Sequence, residues 1–392
     1  MGRFHLEEEA VAAARRRAGS LAASGVVAEL LARAAAGDDL GDVEVASLFL
    51  APDIPTESLV DLACERRQPG GPYLETFSPL YITNECDAEC RMCGMRGTNT
   101  ALVRESADAA TVEAQLDILH RRGLRGIAIL SGEYRHGAFR RTMIVRAAHA
   151  VAAALARGFT HVLINVGALE VEEYAVLLAA VPRTADGTIA PQLTMCTFQE
   201  TYSRDVYARF MGTNPENPRS DFERRLTNFD RARDAGMWAA NPGVLLGLAP
   251  DVASELLALL AHVRHLRARD MAVYVSLPRL RKASGTPSAQ GVDDEILTRL
   301  VAVLAVGRPE VKVVISTREA PEIQRRLVPM IGVLTPGSPG VAPYTETGAR
   351  FDVEASQFEV LDHRPIEEIL GEFLAKGAII DRFEAAGRTS SP

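Results

Sequence analysis

The stretch FSPLYITNECDAECRMCGMR, from Phe77 to Arg96, decides how this chain is read. An apolar run rich in aromatic and β-branched residues has strand character up to Asn84, and a loop then carries cysteines at 86, 90 and 93. Thiolates are soft ligands that suit iron–sulfur clusters, and a [4Fe–4S] cluster normally takes four of them. Three in one loop predict a cluster with one iron open to a reaction partner. Zinc is the competing reading. Zinc loops usually pair C-x2-C with a second such pair downstream, and this chain has none. Chance is a weak explanation, since three of only five cysteines fall in this loop. The other two, Cys64 and Cys196, read as small buried hydrophobes.

Outward from that loop a strand–helix alternation begins. Strand candidates are 78–84, 126–131, 161–167, 192–199, 237–246, 272–277, 311–317 and 332–335. Amphipathic helical stretches lie between them at 109–122, 141–157, 221–235, 254–269 and 293–306. Eight strands joined by helical crossovers predict an α/β fold, a (β/α)8 TIM-type barrel. Residues 1–72 read as a helical N-terminal extension, with Ala-, Glu- and Arg-rich segments and a Pro/Gly break at 68–72. The barrel is expected over 73–365, and a C-terminal helix and tail over 366–392.

The composition narrows the function. With 392 residues, 47% hydrophobic and 24% charged, the chain is of ordinary globular type. No run of about 18 uncharged apolar residues is present, so no membrane span is expected. The N-terminus lacks the apolar core of a signal peptide, and Leu6 breaks the myristoylation pattern. Few cysteines, mostly grouped, suit a reducing cytoplasm. A net charge of −8 argues against a nucleic-acid partner, which needs a basic face, and favours a small-molecule substrate.

The C-x3-C-x2-C loop resembles that of the radical S-adenosylmethionine (SAM) superfamily. The resemblance implies that the open iron chelates SAM, which one electron cleaves to a 5′-deoxyadenosyl radical. In a barrel of this kind the active site lies at the C-terminal ends of the strands. Ser131, Gly132 and Glu133 follow the second predicted strand and resemble the superfamily's Gly-Gly-Glu element for the SAM amino group. Glu200, with Arg204 and Arg209, follows the fourth. A carboxylate there suits ribose hydroxyls, and an arginine suits the SAM carboxylate. Gly243 and Gly247 follow the fifth and resemble the glycine-spaced element that lies against adenine.

Further elements narrow the resemblance. Leu80 to Asn84, QETY at 199–202, Met211-Gly212, Asp221 to Arg225 and Asn241 to Leu248 come first. Ser276 to Leu280, Ser316 to Glu319, Pro336 to Pro339 and Ser356 to Phe358 follow. Their order, over roughly 74–365, resembles the aromatic amino-acid lyase branch of radical SAM enzymes, most of all its tryptophan lyase family. The resemblance implies that Arg318 grips the substrate carboxylate, that Thr335 holds its polar head, and that Tyr81 is an active-site tyrosine. It implies rearrangement of L-tryptophan to 3-methyl-2-indolic acid; the alternatives are tyrosine cleavage to 4-cresol and dehydroglycine, radical SAM chemistry on another amino acid and, in a different class, a non-catalytic iron–sulfur protein. Flavodoxin or ferredoxin is the implied electron donor. A hydrogenase-maturation lyase would carry a second cysteine cluster, and no cysteine follows Cys196. Two positions depart from the pattern: Glu85 stands where an aromatic residue is usual, and Thr335 where serine is.

Overall fold

The computed structural model describes residues 2–67, 70–286 and 291–385. Ten strands form one parallel sheet. They are β1 (Tyr73–Thr76), β2 (Ser78–Tyr81), β3 (Gly126–Leu130), β4 (His161–Asn165), β5 (Gln192–Cys196), β6 (Ala239–Asn241), β7 (Ala272–Ser276), β8 (Lys312–Ser316), β9 (Val333–Thr335) and β10 (Ile379–Asp381). Runs such as GIAIL in β3 and KVVIS in β8 are almost continuously apolar, as strands covered on both faces must be. All eight predicted strands form, several of them shorter than their apolar runs.

Closure depends on the first of them. The chain from Tyr73 to Tyr81 breaks its ladder at Phe77. Its first half, β1, pairs with β9 (Glu75 with Val333), and its second half, β2, pairs with β3 (Ser78 with Ile127). One interrupted strand therefore joins both ends of the sheet, and eight strand positions close into a barrel. β10 lies on the other side of β1, Tyr73 opposite Ile379. That strand comes from a segment read as tail, since three residues of β character give almost no pattern to detect. The predicted break at 68–72 begins at 68–69, outside the described residues, as does the end of the chain from 386.

The barrel interior is filled by Phe77, Ala128, Leu163, Cys196, Ala239, Tyr274, Val314 and Val333, one residue from each strand position. Below them a buried polar group plugs the N-terminal end. Glu75 is bonded by Lys312 and by the Tyr274 hydroxyl (2.9 Å), which also accepts from Gln192 (2.6 Å). His161 stands 3.6 Å from Glu75 and bonds Thr194 at 2.8 Å. Burial opposes the Glu75 charge, but His161 and Lys312 outweigh it and hold its pKa down at about 2.

Helices cover the outside. Asp108, Asp251 and Asp293 each accept a backbone N–H of the first turn at the start of a crossover helix. The N-terminal helices Glu8–Ala22, Asp42–Leu50 and Thr56–Arg67 pack on the crossover helices Val252–Ala268 and Asp294–Gly307. Arg299 stitches them together by donating to the carbonyls of Leu48 (2.8 Å), Phe49 (2.7 Å), Ala51 (2.6 Å) and Ile54 (2.6 Å). It thereby satisfies the free carbonyls at the end of a helix. Among the described residues, no single helix is long and apolar enough to cross a membrane.

Candidate active site

Each strand of the barrel ends at one cavity, which holds about 1630 Å³ of empty space, mouth included. The cluster loop follows β2, Ser131 to Glu133 follow β3, and Gly167 follows β4. Phe198 and Glu200 follow β5, Asn241 and Ser276 end β6 and β7, Arg318 follows β8, and Thr335 ends β9.

The loop carrying Cys86, Cys90 and Cys93 has no regular structure, so side chains must satisfy its backbone. Arg104 donates to the carbonyls of Asn84 (2.7 Å), Met95 (2.9 Å) and Arg96 (2.7 Å). Asn99 donates to Gly94 (2.7 Å) and Ser284 (2.8 Å). Asn84 ties the loop to Val103 and Ala355, both at 2.8 Å. All three cysteines are free and line the cavity. Burial pushes their thiols up, Cys86 to about 12 and Cys90 to about 11, with repulsion from neighbouring cysteines adding to it at those two. The hydrogen bonds from Asn84, Arg104 and Asn99 hold the loop in place, and metal binding displaces thiol protons.

This donor set fits a cluster and not a single ion. Among the described residues, no three His, Cys, Asp or Glu side chains converge on one ion position. A zinc site requires such convergence, whereas a cube gives each sulfur its own iron. Cys86 Sγ also accepts the Glu133 N–H at 3.3 Å, the kind of bond that supports a cluster sulfur.

Gly132 is required by close approach: a Cβ there would overlap the Glu85 carbonyl oxygen and stand 2.7 Å from the Cys86 Cβ. Gly167 has φ 87°, and a Cβ on it would meet the Glu133 carboxyl carbon at 2.6 Å. Ser131 turns its hydroxyl onto the Gly132 carbonyl (3.0 Å). Glu133 is buried and already held, accepting from Arg225 (2.8 Å) and the Ala168 N–H (3.0 Å), with Arg219 at 3.7 Å. Burial would raise its pKa, but Arg225 and Arg219 lower it below the usual range. Glu200 has left-handed backbone (φ 69°), unusual for a side chain with a Cβ, and accepts from Arg219 at 2.8 Å.

Two expected arginines are not in the site. Arg204 pairs with Glu223 and lies over the Phe222 ring, and Arg209 is exposed beside Phe210. Both stand on the helix Arg204–Met211, whose apolar face turns inward and carries Tyr207 and Met211. The arginines that line the cavity are instead Arg96, Arg219, Arg225, Arg281 and Arg318. Arg225 lay in a recognised motif without a role, and Arg219 had no signal because a single Arg in a Pro/Asn loop is unremarked. The glycines after β6 are also corrected. Gly243 lies against Phe198, whose ring a Cβ would meet at 2.5 Å, and Gly247 makes a left-handed turn; neither lines the cavity.

On the opposite wall Arg318 stacks on Phe358, 3.3 Å from its ring centre. Its guanidinium gives one bond to the Arg279 carbonyl (3.2 Å) and meets no carboxylate among the described residues. The neighbouring Glu319 is taken by Arg279 and by Arg281 (2.7 Å). Burial lowers the Arg318 pKa to about 10, so it stays cationic. Tyr81 donates to Gln357 at 2.6 Å. The Thr335 hydroxyl makes no hydrogen bond within the described residues. Glu85 is not among the residues lining the cavity, and its backbone carbonyl abuts Gly132.

No family model matches the chain. In sequence it is 26% identical over 325 residues to the 2-iminoacetate synthase of Salmonella typhimurium and 27% identical to that of Escherichia coli. Each alignment covers 79% of this chain and 78% of the relative. In structure it is similar to the FeFe-hydrogenase maturase HydG of Carboxydothermus hydrogenoformans (TM-score 0.79, 22% identity, 97% of this chain and 86% of that one). A second HydG structure aligns at TM-score 0.78 and 26% identity, over 96% of this chain and 82% of that one. The methylornithine synthase PylB shares the fold at TM-score 0.67 and 16% identity, over 90% and 97%. Fold, three-sulfur loop and sequence likeness together make the chain a radical SAM carbon–carbon lyase whose cofactors are a [4Fe–4S] cluster and SAM.

Proposed function

We propose that the chain cleaves L-tyrosine between Cα and Cβ, releasing 4-cresol and dehydroglycine, also named 2-iminoacetate. The carrying observation is Arg318, a half-buried cation that meets no carboxylate among the described residues, in the cavity that also holds the three cluster cysteines. A guanidinium fixed by stacking offers a forked donor to an α-carboxylate. The likeness to 2-iminoacetate synthases over 325 residues favours tyrosine over the tryptophan expected from the sequence motifs.

When bound, the cluster and SAM supply the radical that starts the reaction. The protein's part is placement. Arg318 holds the acid end, with Phe358 stacked beneath its guanidinium and the Tyr81 hydroxyl nearby. Phe77, Leu163, Phe198 and Val314 give apolar wall for an aromatic ring, and Asn165, Asn241, Ser276 and Thr335 offer polar groups for a ring hydroxyl. Glu200 is the acceptor best set for ribose hydroxyls, since Arg219 engages only one of its oxygens. Fixing both ends of a small substrate restricts a reactive site to one outcome.

Incubation of the reduced protein with SAM and either amino acid, without oxygen, tests the assignment. The expected products are 4-cresol and dehydroglycine from tyrosine. Formation of 3-methyl-2-indolic acid from tryptophan, with no 4-cresol from tyrosine, would overturn it.

A further inference from the structure

Gln357 lies between the cluster loop and the substrate wall. Its side-chain amide nitrogen is 3.5 Å from Cys93 Sγ, and its side-chain carbonyl accepts from the Tyr81 hydroxyl at 2.6 Å. The backbone carbonyl of the same residue accepts the Gly94 N–H at 3.0 Å. A Cβ on Gly94 would come within 2.9 Å of that oxygen, so the two segments are in direct contact. Segment 352–358 is itself anchored: Ser356 donates to the Asp352 carbonyl (2.5 Å), and Asn84 donates to that of Ala355 (2.8 Å). Residue 357 is therefore held in place from both sides.

We propose that Gln357 is a positioning residue that couples the cluster to the substrate wall, its amide N–H holding the Cys93 sulfur while its carbonyl fixes the direction of the Tyr81 hydroxyl. A thiolate only accepts, so the amide must turn its NH2 to the sulfur and its oxygen to the tyrosine. The tyrosine hydroxyl must then donate to Gln357, which leaves its oxygen free to accept from the cavity. An amino acid gripped at its carboxylate by Arg318 carries an amine one carbon away, and an accepting oxygen suits its N–H. This second half rests on the amino-acid reading above. The sulfur half does not.

The sulfur half is tested on the full chain with its cluster, without amino acid, by redox titration followed by EPR. An N–H donor to sulfur stabilises the more negative, reduced cluster. At matched iron content, Gln357→Leu is expected to shift the midpoint potential to a more negative value. Tyr81→Phe should give a smaller shift that vanishes when Gln357→Leu is already present. Parent-like potential and g values in Gln357→Leu would overturn the proposal. Should that variant fail to take up iron, the parent protein labelled with 15N in glutamine side chains gives the same answer. One 15N coupled to the reduced cluster is expected, and no coupling overturns it. For the amine half, calorimetry should find L-tyrosine bound about tenfold more weakly by Tyr81→Phe, while 3-(4-hydroxyphenyl)propionate, which lacks the amine, binds both proteins equally. Equal losses for both ligands would overturn that half. The product assay above tests the reaction separately from either result.

Discussion

Arg318 is where one side chain carries most of the functional reading. A charge stacked on Phe358 in a part-buried wall, with one carbonyl bond and no acid among the described residues, keeps donors available for an anionic ligand. Its neighbour Glu319 would neutralise it from sequence distance alone, but Arg279 and Arg281 occupy that carboxylate. Arg318→Lys keeps the charge and loses the fork. We expect KM for the amino acid to rise about 10–100-fold, the loss of one charged hydrogen bond being about 1.5–3 kcal/mol, while SAM binding measured by calorimetry stays near the parent value. Unchanged KM would remove Arg318 from the substrate site. That Arg318, Tyr81 and Glu200 line the cavity was legible in the sequence, because Tyr81 ends a strand and the other two follow one. Arg204 and Arg209 were misplaced because their helix buries its other face.

At the scale of the element, the cluster loop and the turn after β3 form one unit. Asp87 N–H bonds the Glu133 carbonyl at 2.9 Å, Glu133 N–H bonds the Cys86 sulfur, and Gly132 lies under the Glu85 carbonyl. Sequence motifs gave both pieces separately, and only the close approach explains why position 132 has no side chain. In Gly132→Ala the new methyl group pushes against the Glu85 carbonyl and the Cys86 Cα and Cβ, so the cysteine loop must move. Reconstituted Gly132→Ala should hold well under half the parent's iron while its circular dichroism stays parent-like. Parent-like iron content would mean that this contact does not hold the cluster loop in place.

The whole barrel depends on a strand interrupted at Phe77 and on a polar plug beneath it. Glu75 has its pKa lowered from 4.5 to about 2 in the folded protein. A lowered folded pKa gives stability that is fully present above the unfolded value and lost as pH falls from about 4.5 towards 2. Chemical unfolding at pH 6 and pH 3 should therefore show the parent losing stability on acidification, and Glu75→Gln losing less over the same interval. Its stability at pH 6 should already be lower, because Lys312 is left without its partner. An equal pH slope in both proteins would show that Glu75 is not the group responsible.

The sequence alone determined the three-sulfur loop, the eight parallel strands and the placement of chemistry after each strand. Those properties are local, written in cysteine spacing and in the apolar runs that strands buried on both faces require. Only the tertiary structure decided which charges meet. Arg219 pairs with Glu200 across 19 positions, Arg225 with Glu133 across 92, and Gln357 reaches Cys93 across 264. No local pattern encodes such pairings, because a side chain's partner is set by how barrel closure superposes distant loops.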